Sequence, residues 1–251
     1  MPFGTRILWL HLAALAISLP ARASDTVYAG GGALAQIVDG GGTKTTITLI
    51  NLDSTPADYA LYFYDDNGNP MPLVTGSNPI PGVAADTLYG TLAARGSAII
   101  KTAGGSPVTI QGWALLITSN TVAGSAVFGI PLNGQFVEAS CPLDTGADAQ
   151  FGLPFDSTTA VTGVALANSW LSTPLTVGVT IYDMNGNQVL TDNITLPGNG
   201  HTAFLLTSRY PQLANLQGFA VFTGSYYMSV LGLRATGSTY TSVTPIVSAT
   251  W

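Results

Sequence analysis

The chemistry that this sequence most directly suggests lies in the run PLDTGADA, residues 142–149. Asp144 follows an apolar residue and precedes Thr145 and Gly146, which places a carboxylate in a tight loop that contains glycine. Two such carboxylates that share one proton can activate water for hydrolysis of a peptide bond at acid pH. The simpler interpretation is an Asp-Gly turn without chemistry. The sequence on either side of the run decides between a catalytic loop and a turn.

Those elements form an internal repeat. The sequence ITLINLDSTPADYALYFYDDNGN, residues 47–69, matches VALANSWLSTPLTVGVTIYDMNGN, residues 164–187, with one residue inserted near Trp170. The chain therefore consists of two copies of a unit of roughly 110 residues, with the seam between Leu143 and Ala149. Further matches join residues 35–36 with 149–150, 111–114 with 217–220, and 136–143 with 240–247.

The repeat bears directly on Asp144. A duplicated aspartic protease takes one catalytic aspartate from each copy, but the counterpart of Asp144 falls in VSATW, residues 247–251, which contains no acid. A retropepsin, which pairs aspartates from two chains, is a single compact unit, whereas this motif lies on a seam. The run VLGLR, residues 230–234, could close a protease active site, but it is better explained as the copy of residues 126–129. We therefore predict an interdomain turn, and an aspartic-type hydrolase that uses Asp144 is the less favoured hypothesis.

Apolar and polar residues alternate in short runs bounded by Gly, Pro or Asn, such as TTITLINL, DYALYFYD, LTVGVTIYD and TAFLLTSRY. This period of two is typical of half-buried strands. We predict an all-β protein of two tandem immunoglobulin-like β-sandwich domains related by internal duplication. The predicted boundaries are 1–23 for a signal peptide, 24–145 for domain 1 and 146–251 for domain 2. A single larger double sheet is the alternative architecture.

The first 23 residues carry Arg6, an apolar stretch and the small-x-small pattern Ala21-Arg22-Ala23, which predicts a secretory signal peptide cleaved before Ser24. Cleavage changes the formal net charge from −6 to −8, because two arginines and no acids are lost. Such a charge disfavours nucleic-acid partners. No later run is apolar enough for a membrane span. We expect a secreted or extracellular protein, with the periplasm and the cell surface included.

The repeated runs YDDNGN and YDMNGN place Asp65 and Asp183 before an Asn-Gly pair. The alternating oxygens resemble the start of a calcium loop, but the glycine and the bidentate glutamate that such a loop requires are not at the right spacing. Asn-Gly between strands instead predicts a hairpin with a type I′ turn, in which both central residues have positive φ. The sequence therefore predicts no metal site and no cofactor.

Other catalytic groups are scarce in the sequence. His201, in the position that Ser97 holds in the first copy, is predicted to be an exposed strand-end residue. The single cysteine, Cys141, excludes an intrachain disulfide and is predicted to be half-buried. Glu138 is the one glutamate, so the carboxylate pair of a glycosidase is not indicated. We predict no catalytic residues.

Aromatic residues offer the best candidates for binding. Trp170 is the residue inserted in the second copy, and Tyr226 and Tyr227 lie in a turn farther along the same copy. Solvent-facing Trp and Tyr side chains can stack on sugar rings. The alternative is that Trp170 packs against its own sandwich or the other copy. Trp113, which matches Phe219 inside an alternating strand, is predicted to lie in the core.

The stretch AQIVDGGGTKTTITLINLDSTPADYALYFYDDNGNP, with LPFDSTTAVTGVALANS and GNGHTAF, resembles a set of uncharacterised secreted bacterial proteins built from a tandem pair of immunoglobulin-like β-sandwich units. The resemblance covers most of residues 33–247 and implies export and this fold, with no activity or site. We expect an exported non-enzymatic structural or interaction module with a protein or glycan partner. The alternative is a carbohydrate-binding module that uses the Trp170 end of domain 2.

Overall fold

The protein is all-β in the part of the chain that the computed structural model describes, residues 30–76, 82–132, 135–169, 172–237 and 239–248. No helix in these ranges is long and apolar enough to cross a membrane. The first strands are β1 (Gly32–Asp39), β2 (Lys44–Asn51), β3 (Ala57–Asp65), β4 (Leu73–Val74), β5 (Ala84–Ala85), β6 (Thr87–Leu92), β7 (Ser97–Lys101), β8 (Ile110–Thr118), β9 (Val122–Leu132) and β10 (Gln135–Pro142). The later elements are β11 (Gln150–Asp156), β12 (Val161–Ala167), β13 (Leu175–Asp183), β14 (Gln188–Leu196), β15 (His201–Leu205), helix α1 (Leu206–Arg209), a 3₁₀ turn (Pro211–Leu213), β16 (Gln217–Gly224), β17 (Ser229–Thr236), β18 (Thr239–Val243) and β19 (Ile246–Val247).

The long strands form four sheets, two from each half of the chain. The first unit contains the sheets β1-β8-β3-β6 and β10-β9-β2-β7, and the second contains β14-β13-β16-β11-β19 and β15-β12-β17-β18. Apart from β19, the strand order is the same in both units. In the first unit β2 pairs with β7 and β9, and β3 pairs with β6 and β8. In the second unit β12 pairs with β15 and β17, and β13 pairs with β14 and β16.

Local contacts also correspond between the units. The buried amide of Asn51 donates to the carbonyls of Thr55 and Ala93, at 2.7 and 3.0 Å. Asn168 donates in the same way to the carbonyls of Thr173 and Pro197, at 2.8 and 2.9 Å. Each asparagine fixes the two loops at one end of its unit, because a buried amide must find partners for its donors.

Alternation along the strands places the core between the two sheets of each unit. In the first unit, Ile47 and Leu49 of β2 share a buried cluster with Leu61 and Phe63 of β3, which lies in the other sheet. The second unit has its own cluster. Trp113 is fully buried, which confirms its predicted place in the core. Cys141 is fully buried rather than half-buried, and burial raises the pKa of its thiol to about 12, so the thiolate does not form at neutral pH.

Strand β1 is buried on both faces because the second unit covers its outer face. Ala165 and Ala167 of β12 and Leu231 of β17 belong to the same buried cluster as the first unit's core. A β-bulge between Leu34 and Ile37 adds one residue to β1 opposite β8. Bulges re-aim side chains, and this one places Gln36 in the contact between the units.

The predicted turns after β3 and β13 are present, but their predicted type I′ geometry is wrong. Gly68 and Gly186 both have φ near +80°, whereas the asparagines before them do not have positive φ. The Asp65 carboxylate accepts the amides of Asn67 and Asn69 at 2.9 and 2.8 Å, and Asp183 makes the equivalent contacts. An aspartate that caps its own turn thus favours a longer loop with a single left-handed glycine.

The run TAFLLTSRY is a strand only as far as Leu205. Residues after it form the short helix α1, and Pro211 opens the 3₁₀ turn. Leu206 is fully buried and the Tyr210 hydroxyl donates to the Asp192 carboxylate at 2.9 Å, so tertiary contacts override the local alternation.

Candidate functional site

The backbone of Asp144 closes the edge of strand β1. The amide of Ala33 donates to the carbonyl of Asp144, and the amide of Asp144 donates to the carbonyl of Ala33, both at 2.8 Å. In the second unit, β19 pairs with the edge strand β11 at the corresponding place. The seam segment, for which the sequence predicted a turn, covers the edge of β1 and protects it from pairing with another chain.

The carboxylate of Asp144 is held inside its own loop, where it accepts the amide of Gly146 at 3.0 Å. Burial and the nearby charge of Asp148 raise its pKa, and hydrogen bonds from Gly146 and Ser229 only partly offset the rise. A Cβ on Gly146 would lie 2.5 Å from a carboxylate oxygen of Asp148 and 3.3 Å from one of Asp144. The structure thus places a second carboxylate beside Asp144, although it comes from the same loop and not from the other copy.

The loop with these carboxylates is joined to the turn that carries the predicted binding tyrosines. The amide of Met228 donates to the carbonyl of Asp148 at 3.0 Å, and that of Gly224 donates to the carbonyl of Ala149 at 2.7 Å. Tyr226 and Tyr227 are 52% and 39% exposed. Candidates that the sequence treated as separate therefore lie on one surface.

Tyr227 lines two hollows on this surface. One, of about 80 Å³, is also lined by Ser169 and the Asp144 loop. The other, of about 410 Å³, is also lined by Asp148, Gln150 and Thr223. Trp170 falls outside the described residues, although Ser169 precedes it in the chain. We call this region the tyrosine surface, and its side chains are those of Asp144, Asp148, Gln150, Ser169, Thr223, Tyr226 and Tyr227.

The prediction that His201 is exposed is wrong. Its side chain is buried between the units, with Nδ1 2.7 Å from Oδ1 of Asp66 and Nε2 3.1 Å from Oε1 of Gln36. The His201 backbone amide also donates to the Asp66 carbonyl at 3.2 Å. A strand-end residue of one unit is enclosed here because the other unit packs on it.

Further polar groups complete this contact, which we call the interface cluster: Gln36, Asp66, Gln111, Trp113 and His201. The Gln111 amide donates to the second oxygen of Asp66 at 2.9 Å, and Trp113 Nε1 donates to the Asn199 carbonyl at 2.6 Å. Burial raises the pKa of Asp66, but the hydrogen bonds from His201 and Gln111 outweigh it, so the pKa lies below its ordinary value. The cluster thus joins the two units by direct hydrogen bonds.

Sequence reasoning missed Asp66 as part of a contact, although the repeat carried a sign of it. The turn reads YDDNGN in the first copy and YDMNGN in the second, so Asp66 stands where the second copy has Met184. His201 likewise replaces Ser97. Polar differences between otherwise matched copies mark the residues by which one copy contacts the other.

Within the ranges that the structure describes, no three His, Cys, Asp or Glu side chains come together as metal ligands. Comparisons with protein-family models, with curated proteins and with solved structures find no match to this chain. The geometry of the tyrosine surface and of the interface cluster is thus the basis for assigning function.

We expect Asp144→Asn to gain stability relative to the wild type as the pH rises from about 3 to 6. The folded-state pKa of Asp144 lies above its value in the unfolded chain, so the folded state binds more protons and the wild type loses stability as this group ionises. Asparagine retains an acceptor for the Gly146 amide and does not ionise. Urea unfolding at a series of pH values measures the difference.

Asp148→Asn is the matched comparison. It removes one cause of the raised pKa of Asp144 and should give a smaller gain over the same pH range. The opposite result would be a stability advantage of Asp144→Asn over the wild type that shrinks or reverses with rising pH. It would show that the ionised carboxylate of Asp144 stabilises the fold.

Proposed function

We propose that this protein is an exported, non-enzymatic interaction module that binds a neutral glycan at the tyrosine surface. The observation that carries the proposal is the position of Tyr227, which is partly exposed and lines two hollows, one with Asp144 and the other with Asp148. An aromatic ring beside fixed acceptors is what a sugar requires, since its C–H face stacks while its hydroxyls donate hydrogen bonds.

The charge of the surface favours a neutral glycan over an anionic one. Two aspartates lie beside Tyr227, and the whole chain has a formal net charge of −6. Uronate or sialyl groups would be repelled, whereas neutral hydroxyls can donate to the carboxylates. Gln150, which donates to the Thr223 hydroxyl at 3.2 Å, adds an amide oxygen on the larger hollow.

The proposed location and architecture are those of a secreted protein made of two duplicated, immunoglobulin-like sandwiches. Residues 1–23 supply the export signal. The shared strand order and the matched contacts of Asn51 and Asn168 support the duplication. When the two-residue strands β4 and β5 are left out of the count, the second strand of each unit pairs with the fifth and the third pairs with the sixth. This pairing is that of an immunoglobulin sandwich and supports the immunoglobulin-like assignment. Bacterial origin rests on the sequence resemblance alone.

The positions of the potential catalytic side chains support the non-enzymatic part of the proposal. Asp148 and Asp144 come from one loop, whereas a duplicated aspartic protease supplies one carboxylate from each copy. His201 is enclosed by Asp66 and Gln36, and the thiol of Cys141 is buried.

The test is binding of the mature chain to an array of neutral and anionic glycans, followed by titration with the best ligand. We expect binding to neutral glycans, and about tenfold weaker binding for Tyr227→Ala, which corresponds to about 1.4 kcal/mol. Trp170→Ala, at the sequence-predicted end of the second domain, is measured in the same series.

Tyr89→Ala is the control, because Tyr89 is an exposed tyrosine on β6 of the first unit, away from the tyrosine surface. An array without signal, or equal losses for Tyr89→Ala and Tyr227→Ala, would overturn the glycan assignment. Pepstatin-sensitive cleavage of a denatured protein at acid pH, abolished by Asp144→Asn, would overturn the non-enzymatic one.

A further inference from the structure

A cleft of about 340 Å³ lies between the two units, away from the tyrosine surface. Strands β1 and β8 form one wall, and β12, β15 and β17 form the other. This volume is within the range of small-molecule sites, which often lie between domains. Most of its lining is apolar, chiefly Val38, Phe128, Val164, Ala203, Phe204 and Leu233.

The cleft carries a hydrogen-bond donor that the protein itself satisfies poorly. Gln36 is only 4% exposed and lines the cleft, and its Oε1 lies 3.1 Å from Nε2 of His201. Its Nε2 contacts the carbonyl of Ile37 at 3.5 Å, beyond the usual 2.7–3.2 Å of an N–H···O bond. A buried amide with two N–H groups normally finds better partners, and the β1 bulge is what turns this one toward the cleft.

The lining also defines the charge of an occupant. No charged side chain is among the residues that line the cleft in the described part of the chain. An ion would lose its hydration without gaining a counter-charge, so a neutral molecule is favoured. The apolar walls reward apolar surface removed from water.

We propose that the cleft between the units binds a small, neutral, largely apolar molecule with a hydrogen-bond acceptor that receives the Gln36 amide proton. The interface cluster orients the donor, because His201 fixes the oxygen end of the same amide. Binding joins residues of both units, so it also stabilises their packing against each other.

The probe is Prodan, a neutral naphthalene ketone whose emission shifts to the blue in apolar surroundings and whose carbonyl is an acceptor. We expect saturable binding of one molecule per chain with a blue shift. Ala203→Trp fills the cleft from β15 and should weaken binding by at least about tenfold, while the urea midpoint shows that the variant is folded. Leu233→Phe obstructs the opposite wall with a smaller change.

Ile99→Trp is the matched control, since Ile99 on β7 corresponds to Ala203 on β15 and is 55% exposed. It should leave Prodan binding unchanged. Gln36→Met removes the amide donor without adding a charge, and it should weaken binding about 2- to 12-fold, the range for one neutral hydrogen bond.

Two results would overturn the proposal: no saturable Prodan binding, or binding that a folded Ala203→Trp variant leaves unchanged. Equal affinity for anionic anilinonaphthalene sulfonate would overturn the selectivity for neutral molecules. Tyr227→Ala should not affect Prodan binding, and Ala203→Trp should not affect glycan binding. The proposal for the cleft and the proposal for the tyrosine surface can therefore be disproved independently.

Discussion

Replacing His201 with alanine is expected to lower the free energy of unfolding by about 2–4 kcal/mol, through the loss of hydrogen bonds to Asp66 and Gln36. The imidazole is fully buried, and each ring nitrogen lies within hydrogen-bond distance of a side-chain oxygen of the other unit, Oδ1 of Asp66 and Oε1 of Gln36. Alanine leaves the Gln36 oxygen buried without its partner. Asp66 is partly exposed and can turn to water, which limits the cost on that side.

Urea unfolding of residues 24–251, followed by fluorescence and by circular dichroism, measures this effect. A chain whose units depend on each other should unfold in one transition. With the interface cluster broken, the two probes should no longer coincide, because the second unit retains a buried cluster made only of its own residues. A double-mutant cycle with Asp66→Ala isolates the energy of the pair.

Ser97→Ala is the control, because Ser97 is exposed at the matching strand end of the first unit. It should change the free energy of unfolding by less than about 0.5 kcal/mol. An effect of His201→Ala no larger than that of Ser97→Ala would mean that the interface cluster contributes nothing to stability.

The pH dependence of the pair has a defined sign. The pKa of Asp66 is depressed in the folded state, so its contribution is present above its unfolded value and is lost as the pH falls through its folded value. Asp66→Asn should therefore flatten the acid limb of the stability profile. This sign is opposite to that at Asp144, where burial outweighs the hydrogen bonds.

The sequence predicted what depends on local patterns. Alternation in residues 58–65 and 175–183 predicted strands, and β3 and β13 lie there. The seam was predicted between Leu143 and Ala149, and β10 ends at Pro142 while β11 begins at Gln150. Such features are local because a period of two and a turn residue act within a few positions.

Contacts between the copies could not be predicted in the same way. His201 meets Asp66 and Gln36 across 135 and 165 residues of sequence, and no local pattern encodes that pairing. Burial of a polar residue on a strand end depends on what packs over it. The same reason explains why Tyr227 and Asp144 were proposed separately and lie together.

The second large effect is expected at Trp113, where alanine should cost about 3–5 kcal/mol, the range for removing a buried large aromatic side chain. The indole is fully buried, and it stacks on Tyr64 with ring centroids 5.3 Å apart. Its Nε1 donates across the contact between the units to the Asn199 carbonyl at 2.6 Å. Urea unfolding measures the total.

Trp113→Phe separates the packing from the hydrogen bond. Phe219 holds the corresponding position in the second unit and stacks on Tyr182 at 5.0 Å, so phenylalanine fits this geometry. The variant should lose about 1–2 kcal/mol, because it keeps the stack and leaves the Asn199 carbonyl without its donor. A loss equal to that of Trp113→Ala would place most of the energy in the hydrogen bond, whereas no loss would mean that the bond between the units is replaced by water. The aromatic stack occurs in both units, but at Trp113 it also carries a hydrogen bond to the other unit. The difference in unfolding free energy between Trp113→Phe and the wild type therefore measures what that bond contributes.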